Sequence, residues 1–370
     1  MPHYQFVDRP ESLTSALCGY ERLGIDTEFM REKTYFAQLC LVQVATPEEI
    51  YCVDPLDDGD HRIFWESLLA QPWVVHSARQ DIEVVWQTAG AMPAEIFDTQ
   101  VAAGLLGYPA QMGYASLVED LFDVEMDKSH TRADWTRRPL RESWLQYAAE
   151  DVEYLLPAFD VLSARLEKAG RLGWAQEDSR FLLDPGLYVV NESQAVDRLK
   201  GARNFRGRRR AAASRLAAWR EAEAIRRNRP RQWIVRDSVL LDIAYQLPTT
   251  EKELAAIDEM PPKLVSRVGA ELLQSVAESA NDESDYKPPR PPNEQQKALL
   301  KKMQAAVARC AEELGLAAET IASKKELSAI IISGSRQSRA LQGWRSEIIG
   351  NELLSLLLSL IHISEPTRRH

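Results

Sequence analysis

The chain has 370 residues, 45% of them hydrophobic, and a formal net charge of −10 at pH 7. This length exceeds one ordinary domain and predicts two or three, with enough apolar residues for real cores. The net negative charge argues against a protein that simply coats a polyanion, but the charge is unevenly distributed. Between Arg198 and Arg236, fourteen lysines and arginines stand against two glutamates, which gives this basic stretch a local charge of +12.

The four cysteines show no C-x-x-C spacing, so neither a zinc site nor a disulfide framework is expected. Three of them lie in apolar runs, as buried thiols usually do. The N-terminus lacks a signal-peptide pattern, and no apolar run approaches the ~20 residues needed to cross a bilayer. We therefore expect a reduced, cytoplasmic setting and no membrane partner, and the sequence indicates no obligatory protein partner.

Strand and helix patterns alternate through the first half of the chain. Antiparallel strands come first and alternating strands and helices follow, which predicts a mixed sheet flanked by helices in an α/β domain at residues 1–192. The second and third strands are expected to form a hairpin with a short turn, and the last helix is expected to be long. The predicted strands are 4–7, 23–29, 36–45, one ending at 53–54, 73–76 and 96–98, and the helices include 64–69, 79–88 and 144–166.

Strand signals stop after residue 210. Helices predicted at 211–227, 238–245, 251–257 and 263–279 form a small all-helical domain at 205–282, with Asp237 and Thr249 or Thr250 as N-caps. A proline-rich linker at 283–293 leads to a second helical domain at 294–357, which we expect to be truncated. Residues 358–370 begin LSLIHISEPTRR, which looks like a translated sequencing adapter, so the natural C-terminus is expected to be missing.

Two acids, Asp26 and Glu28, lie two residues apart in the second predicted strand. Residues at this spacing point to the same face, so both carboxylates are expected to leave the strand together. Two like charges side by side are costly to bury unless a divalent cation or an arginine compensates them. An Asp-x-Glu pair also occurs often by chance, so other residues must support a site here.

Two other elements present acids near their ends. His76 ends a predicted strand and Asp81 lies in the first turn of the next helix, where α/β sheets present ligands. Tyr147 and Asp151 are four residues apart and therefore share one face of a helix. Asp81 could instead only complement the helix dipole, and Asp151 could belong to a solvated acidic face. Carboxylates thus come from one strand and from two helices, and this pattern favours one common pocket.

These residues resemble the three exonuclease motifs of the DEDD superfamily in its tyrosine-bearing branch. The segments between these motifs resemble bacterial ribonuclease D, and the resemblance covers nearly all of the chain up to residue 357. Residues 230–241, with Trp233, and 343–345 resemble the helicase-and-RNase-D C-terminal (HRDC) domain, present twice. The further matching segments are 34–43 (TYFAQLCLVQ), 97–100 (FDTQ), 128–130 (KSH), 134–135 (DW), 138–140 (RPL) and 147–152 (YAAEDV).

The resemblance implies a ribonuclease-H-like exonuclease domain and metal-dependent 3′-to-5′ hydrolysis of RNA that releases nucleoside 5′-monophosphates. It also implies two Mg²⁺ or Mn²⁺ ions, and oxygen-only ligands suit these hard cations better than zinc. Asp26 would bridge both ions, Glu28 and Asp151 would complete the first site, and Asp81 would hold the second. Tyr147 would orient and help deprotonate the attacking water, although a phenol with a pKa near ~10 is too weak a base to act alone.

Recognition of the substrate is expected at several places by analogy with the family. Glu28 and the backbone near Thr27 and Phe29 would contact the terminal 3′-hydroxyl, and Phe29 or His76 would pack on the last nucleotides, although core packing is equally plausible for Phe29. The arginines of residues 200–231 themselves suit phosphate contacts, with Trp233 expected in a core, and the alternative is a solvated helix. His130 and Arg132 could also meet the RNA or lie in a solvated loop.

Alternative functions remain open at this point. The motifs do not distinguish ribose from deoxyribose, so a DNA 3′-to-5′ exonuclease would use the same residues. A catalytically silent nucleic-acid-binding scaffold is also conceivable, but a binder of polyanions gains nothing from an acidic pocket. The family resemblance favours RNA as the partner, in particular tRNA precursors and the 3′ ends of other structured RNAs.

Overall fold

A six-stranded mixed sheet organises the N-terminal part of the protein. The computed structural model describes residues 2–57, 59–126, 133–282, 292–334 and 336–364. The sheet order is β1-β4-β3-β2-β5-β6; β3 runs antiparallel to β4, and the pairs β1–β4, β2–β5 and β5–β6 are parallel. The strands are β1 (Tyr4–Val7), β2 (Leu23–Met30), β3 (Gln38–Ala45), β4 (Ile50–Val53), β5 (Pro72–Val75) and β6 (Glu95–Asp98). The predicted mixed sheet is therefore confirmed, and β2 lies inside it.

Helices pack around this sheet and complete the predicted α/β domain. The residues buried between the sheet and one of the helices, α5, include Leu41, Val74, Trp144, Leu145 and Ala148. The helices are α1 (Arg62–Leu69), α2 (Arg79–Ala89), α3 (Thr99–Leu105), α4 (Tyr114–Phe122), α5 (Glu142–Glu153), α6 (Leu155–Lys168) and α7 (Leu172–Phe181).

The single helix predicted over 144–166 is wrong, because the structure breaks it at Tyr154 into α5 and α6. Pro157 explains the break, since proline inside a continuous helix would clash with the carbonyl four residues earlier, at Glu153. Proline is tolerated in the first turn of a new helix, and Pro157 lies in the first turn of α6. The Tyr154 N–H accordingly donates to the Tyr114 hydroxyl at 3.0 Å.

The chain divides into two compact units. The first contains the residues up to Met30, Leu39–Leu187 and the described residues after 291. The second contains Arg31–Gln38 and the described residues from Tyr188 to Asp282. The connection between β2 and β3, predicted as a short turn, is formed by residues 31–37, and it packs with the second unit.

The second unit is helical, as predicted, and has its own core. Thr250 caps α11 by accepting a hydrogen bond from the Glu253 N–H at 3.2 Å, whereas α10 begins at Asp237 itself. The expectation that Trp233 is core is wrong: 59% of this residue is exposed, and the neighbouring Ile234 is buried instead. The helices are α8 (Gly207–Arg227), α9 (Arg231–Ile234), α10 (Asp237–Gln246), α11 (Glu251–Ala255) and α12 (Pro262–Glu278).

The C-terminal helices share a hydrophobic core with the α/β domain. Leu105 of α3 and Leu162 of α6 lie in one buried cluster with Met303, Trp344 and Leu353. The last helix runs past the predicted domain end at residue 357. These helices are α13 (Glu294–Leu314), α14 (Ala318–Ile321), α15 (Lys324–Ser333), α16 (Gly343–Arg345) and α17 (Asn351–Ser364).

A buried ion pair reinforces this shared core. Asp178 of α7 accepts hydrogen bonds from Arg345 at 2.6 and 2.8 Å and from the Trp344 indole N–H at 3.2 Å. Arg339 adds a second cation at 2.8 Å, and the Trp174 and Trp344 rings stack 4.5 Å apart. Burial alone would raise the pKa of Asp178, but the two arginines hold it below its ordinary value.

Several sequence expectations concern residues that the structure leaves undescribed. His130, Arg132 and the 128–130 motif lie outside the described residues, as do 283–291 of the predicted linker and residues 365–370 of the tail. Within the described part of the chain, Cys40, Cys52 and Cys310 are buried, as expected, and Cys18 is exposed. None of the described helices combines the length and apolarity needed to span a membrane.

We predict that Asp178→Ala lowers the free energy of unfolding by about 3–5 kcal/mol, because it leaves the buried Arg345 guanidinium without its counter-ion. Urea denaturation followed by far-UV circular dichroism measures the change. Asp160→Ala, which removes an exposed carboxylate from α6, is the control and should change stability by less than about 0.5 kcal/mol. Equal stability of the two variants would contradict the structural role of this ion pair.

Candidate active site

Three of the predicted acids converge on one point. Carboxylate oxygens of Asp26, Glu28 and Asp151 all lie within 4.8 Å of one another. Asp26 and Glu28 leave the same face of β2, as their spacing predicted, and Asp151 comes from α5. A strand and a helix that are far apart in sequence thus form one acidic pocket, which we call the carboxylate pocket.

A glycine in β2 permits this approach. A Cβ atom placed on Gly24 would lie 3.1 Å from the Cβ of Ala45 and 3.2 Å from the Cβ of Leu155, closer than nearly all real contacts between such atoms. Leu155 begins α6, directly after the break that follows α5. The missing side chain therefore lets the α5–α6 junction pack closely on the sheet, which brings Asp151 toward Asp26.

The fourth acid, Asp81, lies in the first turn of α2 and is only 8% exposed. Its carboxylate accepts a hydrogen bond from the Thr27 hydroxyl at 2.5 Å, so a residue between Asp26 and Glu28 links β2 to α2. This bond occupies the Thr27 side chain. Only the backbone atoms of Thr27 therefore remain available for the predicted contact with the substrate.

Asp98 holds the turn that presents Asp81, a role that was not predicted from the sequence. Its carboxylate accepts hydrogen bonds from the backbone N–H groups of Ser77 at 3.0 Å, Ala78 at 2.9 Å and Gln100 at 2.8 Å. Ser77 has a φ of 59°, an uncommon conformation for a residue other than glycine. In the sequence, Asp98 stands out only as part of the FDTQ motif at 97–100, and this motif does not by itself indicate what Asp98 does.

Burial raises the pKa values of all four acids, and the charges of the other site acids add to this rise for Asp26 and Glu28. Burial is the larger cause for Glu28, whose pKa rises to about 8, and the Asp151 and Asp81 charges add to it. The pKa values of Asp81 and Asp151 rise to about 7, again chiefly through burial. The pKa of Asp26 lies well above its ordinary value because of burial and the charges of the other three.

The donor set of the pocket fits a hard divalent cation. No ion pair involves any of the four acids within the part of the chain that the structure describes, so none of the described cations compensates their charge. Buried carboxylates without such partners are costly when ionised. Oxygen-only ligands are those that Mg²⁺, Mn²⁺ and Ca²⁺ prefer. Divalent metal dependence follows from this chemistry.

Tyr147 lies one helical turn before Asp151 and donates a hydrogen bond to its carboxylate. Burial and then the charges of Asp151 and Glu28 raise the pKa of the Tyr147 phenol. The phenol therefore keeps its proton at neutral pH. Tyr147 can orient a molecule at the pocket, but it cannot be a free phenolate base.

Two further residues were predicted to touch the substrate. His76 Nδ1 lies 2.9 Å from the Thr99 hydroxyl oxygen and Nε2 lies 3.0 Å from the Met112 carbonyl oxygen, so protein groups occupy both ring nitrogens. The His76 ring also packs on Tyr114 with 5.5 Å between ring centroids, and burial lowers the pKa of the imidazole. Only the ring surface of His76 is left for a nucleotide. Phe29 is partly buried at the end of β2.

We predict that Asp151→Asn raises the melting temperature of the metal-free protein at pH 8. Glu28, Asp81 and Asp151 have folded-state pKa values above those of an unfolded chain, about 4, so their ionisation destabilises the folded state as pH rises from about 4 through 7 to 8. Removing one charge should relieve this repulsion. At pH 5 the gain should largely vanish, because the wild-type acids are then mostly protonated.

Thermal denaturation in EDTA at pH 5 and pH 8 measures this effect. Glu167→Gln, at an exposed position on α6, removes one negative charge elsewhere and should leave the difference between the two pH values unchanged. A lower melting temperature for Asp151→Asn than for the wild type at pH 8 would contradict the repulsion that we infer.

Comparison with known proteins agrees with this geometry. Residues 5–167 match the family model described as a 3′-5′ exonuclease, and residues 209–276 match the HRDC domain. The chain is 37% identical to ribonuclease D of Nitrobacter hamburgensis, covering 93% of this chain and 92% of that protein. It is also 37% identical to ribonuclease D of Pseudomonas paraeruginosa, and this match covers 91% of this chain and 92% of that protein.

A solved structure shows the same architecture. The crystal structure of Escherichia coli RNase D, described as an exoribonuclease involved in structured RNA processing, superimposes with a TM-score of 0.86 at 28% identity. The match covers 96% of this chain and 99% of that one. The combined ribonuclease-H-like α/β and helical fold is therefore shared. The chain belongs to the ribonuclease D family of 3′-5′ exoribonucleases.

Proposed function

We propose that this exoribonuclease trims the 3′ ends of tRNA precursors and other structured RNAs in the cytoplasm, with two divalent cations, Mg²⁺ or Mn²⁺, in its active site. The observation that carries this proposal is the convergence of Asp26, Glu28 and Asp151 within 4.8 Å, with Asp81 hydrogen-bonded to the same strand through Thr27. The involvement of Escherichia coli RNase D in structured RNA processing supports structured RNA as the substrate class.

In this proposal each of the four acids is a metal ligand. We place Asp26, Glu28 and Asp151 as ligands of one cation, and Asp26 and Asp81 as ligands of the other. The bound cations would neutralise the acids, acidify a water molecule and draw negative charge from the scissile phosphate. The protein itself holds the carboxylate oxygens in fixed positions, because burial and packing prevent the acids from moving apart.

Tyr147 positions the reacting groups in this proposal. Its hydroxyl is bound to Asp151 and keeps its proton, so it acts as a fixed neutral group at the edge of the pocket. Such a group can hold the attacking water in line with the phosphate without adding negative charge. The 3′-hydroxyl of the substrate would meet Glu28 and the backbone at Thr27 and Phe29, with the rings of Phe29 or His76 next to the terminal nucleotides.

The first helical domain offers a smaller basic surface than the sequence suggested. Several arginines of the basic stretch are used internally: Arg220 pairs with Asp237, and both Arg198 and Arg231 pair with Glu221. The cations of this stretch that form no ion pair in the described part of the chain are better candidates for phosphate contacts. They include Arg203, Arg206, Arg208 and Arg209.

Exposed aromatic rings accompany these cations. Tyr245 is 52% exposed and lies 4.0 Å below the Arg209 guanidinium, while Trp233 is 59% exposed and lies 5.9 Å from that of Arg229. An aromatic ring beside an arginine is a suitable platform for an unpaired base. We infer that this domain holds the RNA body without reading its sequence, so that affinity falls steeply with salt.

The domain division remains a proposal of the same kind. We place the exonuclease domain at 1–192, the two HRDC-like domains at 205–282 and 294–357, the linker at 283–293, and the adapter-like tail at 358–370. The second HRDC-like domain would extend the RNA-binding surface. Its packing into the core of the α/β domain makes it a fixed support.

We predict that the wild-type protein shortens a 5′-labelled single-stranded RNA stepwise from its 3′ end with Mg²⁺ and leaves it intact with EDTA. Asp26→Ala should reduce this turnover to background, because its carboxylate contributes to both proposed metal positions. Gel electrophoresis resolves the ladder. The matched control is Asp160→Ala, which removes an exposed acid elsewhere in the same domain.

Three outcomes would count against the proposal. Turnover by Asp26→Ala near the wild-type rate at saturating Mg²⁺ would overturn the site. Faster degradation of the equivalent DNA would favour the deoxyribonuclease alternative. Tight RNA binding without shortening in either Mg²⁺ or Mn²⁺ would leave only a binding scaffold.

Tyr147→Phe should slow hydrolysis by about 10² or more while leaving RNA affinity largely unchanged, because the attacking water would no longer be held in line with the phosphate. Single-turnover rates with excess protein give the hydrolysis step, and fluorescence anisotropy in EDTA gives affinity. An equal loss in affinity and rate would make Tyr147 a substrate contact instead.

A further inference from the structure

The loop that follows the catalytic strand belongs to the helical unit. Met30 ends β2 and β3 begins at Gln38, so residues 31–37 lie between two strands of the sheet. Nevertheless, Arg31–Gln38 packs into one compact unit with the described residues from Tyr188 to Asp282. We call Arg31–Gln38 the strap. Because it is bonded directly to Met30, it begins only three residues after Glu28.

One side chain of the helical unit holds the backbone of the strap. The Asn228 Oδ1 atom accepts hydrogen bonds from the N–H groups of Tyr35 and Phe36, both at 3.0 Å. Asn228 ends α8 with a φ of 46°, a left-handed conformation that asparagine and glycine adopt at helix ends. A fixed acceptor therefore satisfies two consecutive strap amides.

The Tyr35 side chain is buried in the helical core. It is 3% exposed and lies in the same hydrophobic cluster as Ala213, Leu216 and Val239. Its hydroxyl donates to the Glu221 carboxylate at 2.5 Å and accepts from Arg231 at 2.9 Å. A tyrosine that is both packed and hydrogen-bonded at its tip has a single well-defined position.

The partner of Tyr35 is itself fixed. Glu221 is 1% exposed and accepts two hydrogen bonds from Arg231, at 2.5 and 2.6 Å, and one from Arg198 at 3.1 Å. Burial alone would raise the pKa of Glu221, but Arg231 and Tyr35 hold it below its ordinary value. Glu221 is therefore an ionised anchor. This explains why two arginines of the basic stretch do not serve the basic surface.

We propose that the strap is a mechanical link by which the first helical domain positions the C-terminal end of β2, with Tyr35 and Asn228 as positioning residues for Glu28. This inference rests on the proposed function, in which Glu28 is a metal ligand. Displacing catalytic groups by about 1 Å can cost up to 10² in rate, and a released strap removes the fixed attachment of the strand end. The helical domain thus contributes to the hydrolysis step as well as to RNA binding.

Two substitutions at one position test the link in the full-length protein. Asn228→Gly keeps the left-handed helix end but removes the acceptor, whereas Asn228→Asp keeps an oxygen that can accept from Tyr35 and Phe36. The rate of RNA shortening is measured in single turnover with saturating protein and Mg²⁺, where affinity no longer affects it. We expect Asn228→Gly to lower this rate about tenfold and Asn228→Asp to stay within about twofold of the wild type.

Three further measurements separate positioning from other causes. Hydrogen exchange at the Tyr35 and Phe36 amides should become faster in Asn228→Gly, and RNA affinity in EDTA should change by less than about threefold. Tyr35→Phe, which keeps the packed ring and loses only the hydroxyl contact with Glu221, should give a smaller loss of rate. Asn281→Gly, an exposed asparagine of the same unit, is the matched control for the glycine substitution.

An unchanged saturating rate in Asn228→Gly, or unchanged exchange at the strap amides, would overturn the link. A loss confined to RNA affinity would also overturn it, because the strap would then be a substrate contact. If the wild type itself fails to shorten RNA with Mg²⁺, the proposed function fails, and this inference fails with it.

Discussion

The close approach of buried and partly buried carboxylates is the main physical constraint on this fold. Asp26, Glu28, Asp81 and Asp151 occupy one region where burial already raises their pKa values, and the described protein cations do not pair with them. Folding must therefore hold these acids together against their own electrostatics. A divalent cation turns this unfavourable arrangement into a binding site, since oxygen ligands and excess negative charge are what such an ion needs.

The scaffold meets this constraint by fixing each acid through a different element. The absent side chain of Gly24 admits the α5–α6 junction that carries Asp151, and the Asp98 carboxylate holds the turn that carries Asp81. The helices α13 to α17 share a core with α3, α6 and α7, which stiffens the α/β domain. Rigidity of this kind suits a reaction in which the ligand positions matter more than any single side-chain pKa.

Much of this arrangement could be predicted from the sequence, because the informative signals were local. The two-residue spacing in β2, the four-residue spacing between Tyr147 and Asp151, and the strand-to-helix turn before Asp81 each specify a direction for the side chains. The break at Tyr154 was missed although Pro157 signalled it. Trp233 was wrongly assigned to a core, because an aromatic residue in an apolar run gives no sign of which neighbour faces inward. The packing of the strap against α8 and the burial of Asp178 depend on contacts between distant segments, which no local pattern encodes.

Anomalous diffraction from crystals soaked in Mn²⁺ with a short RNA would locate the metal ions relative to the four acids. We predict two manganese peaks at the four acids, one ligated by Asp26, Glu28 and Asp151 and the other by Asp26 and Asp81, with the RNA 3′ end beside them. Peaks only at other acidic surfaces, or a pocket that stays free of manganese at saturating concentration, would contradict this prediction. In that case, the four acids would be held together for a reason other than metal-dependent hydrolysis.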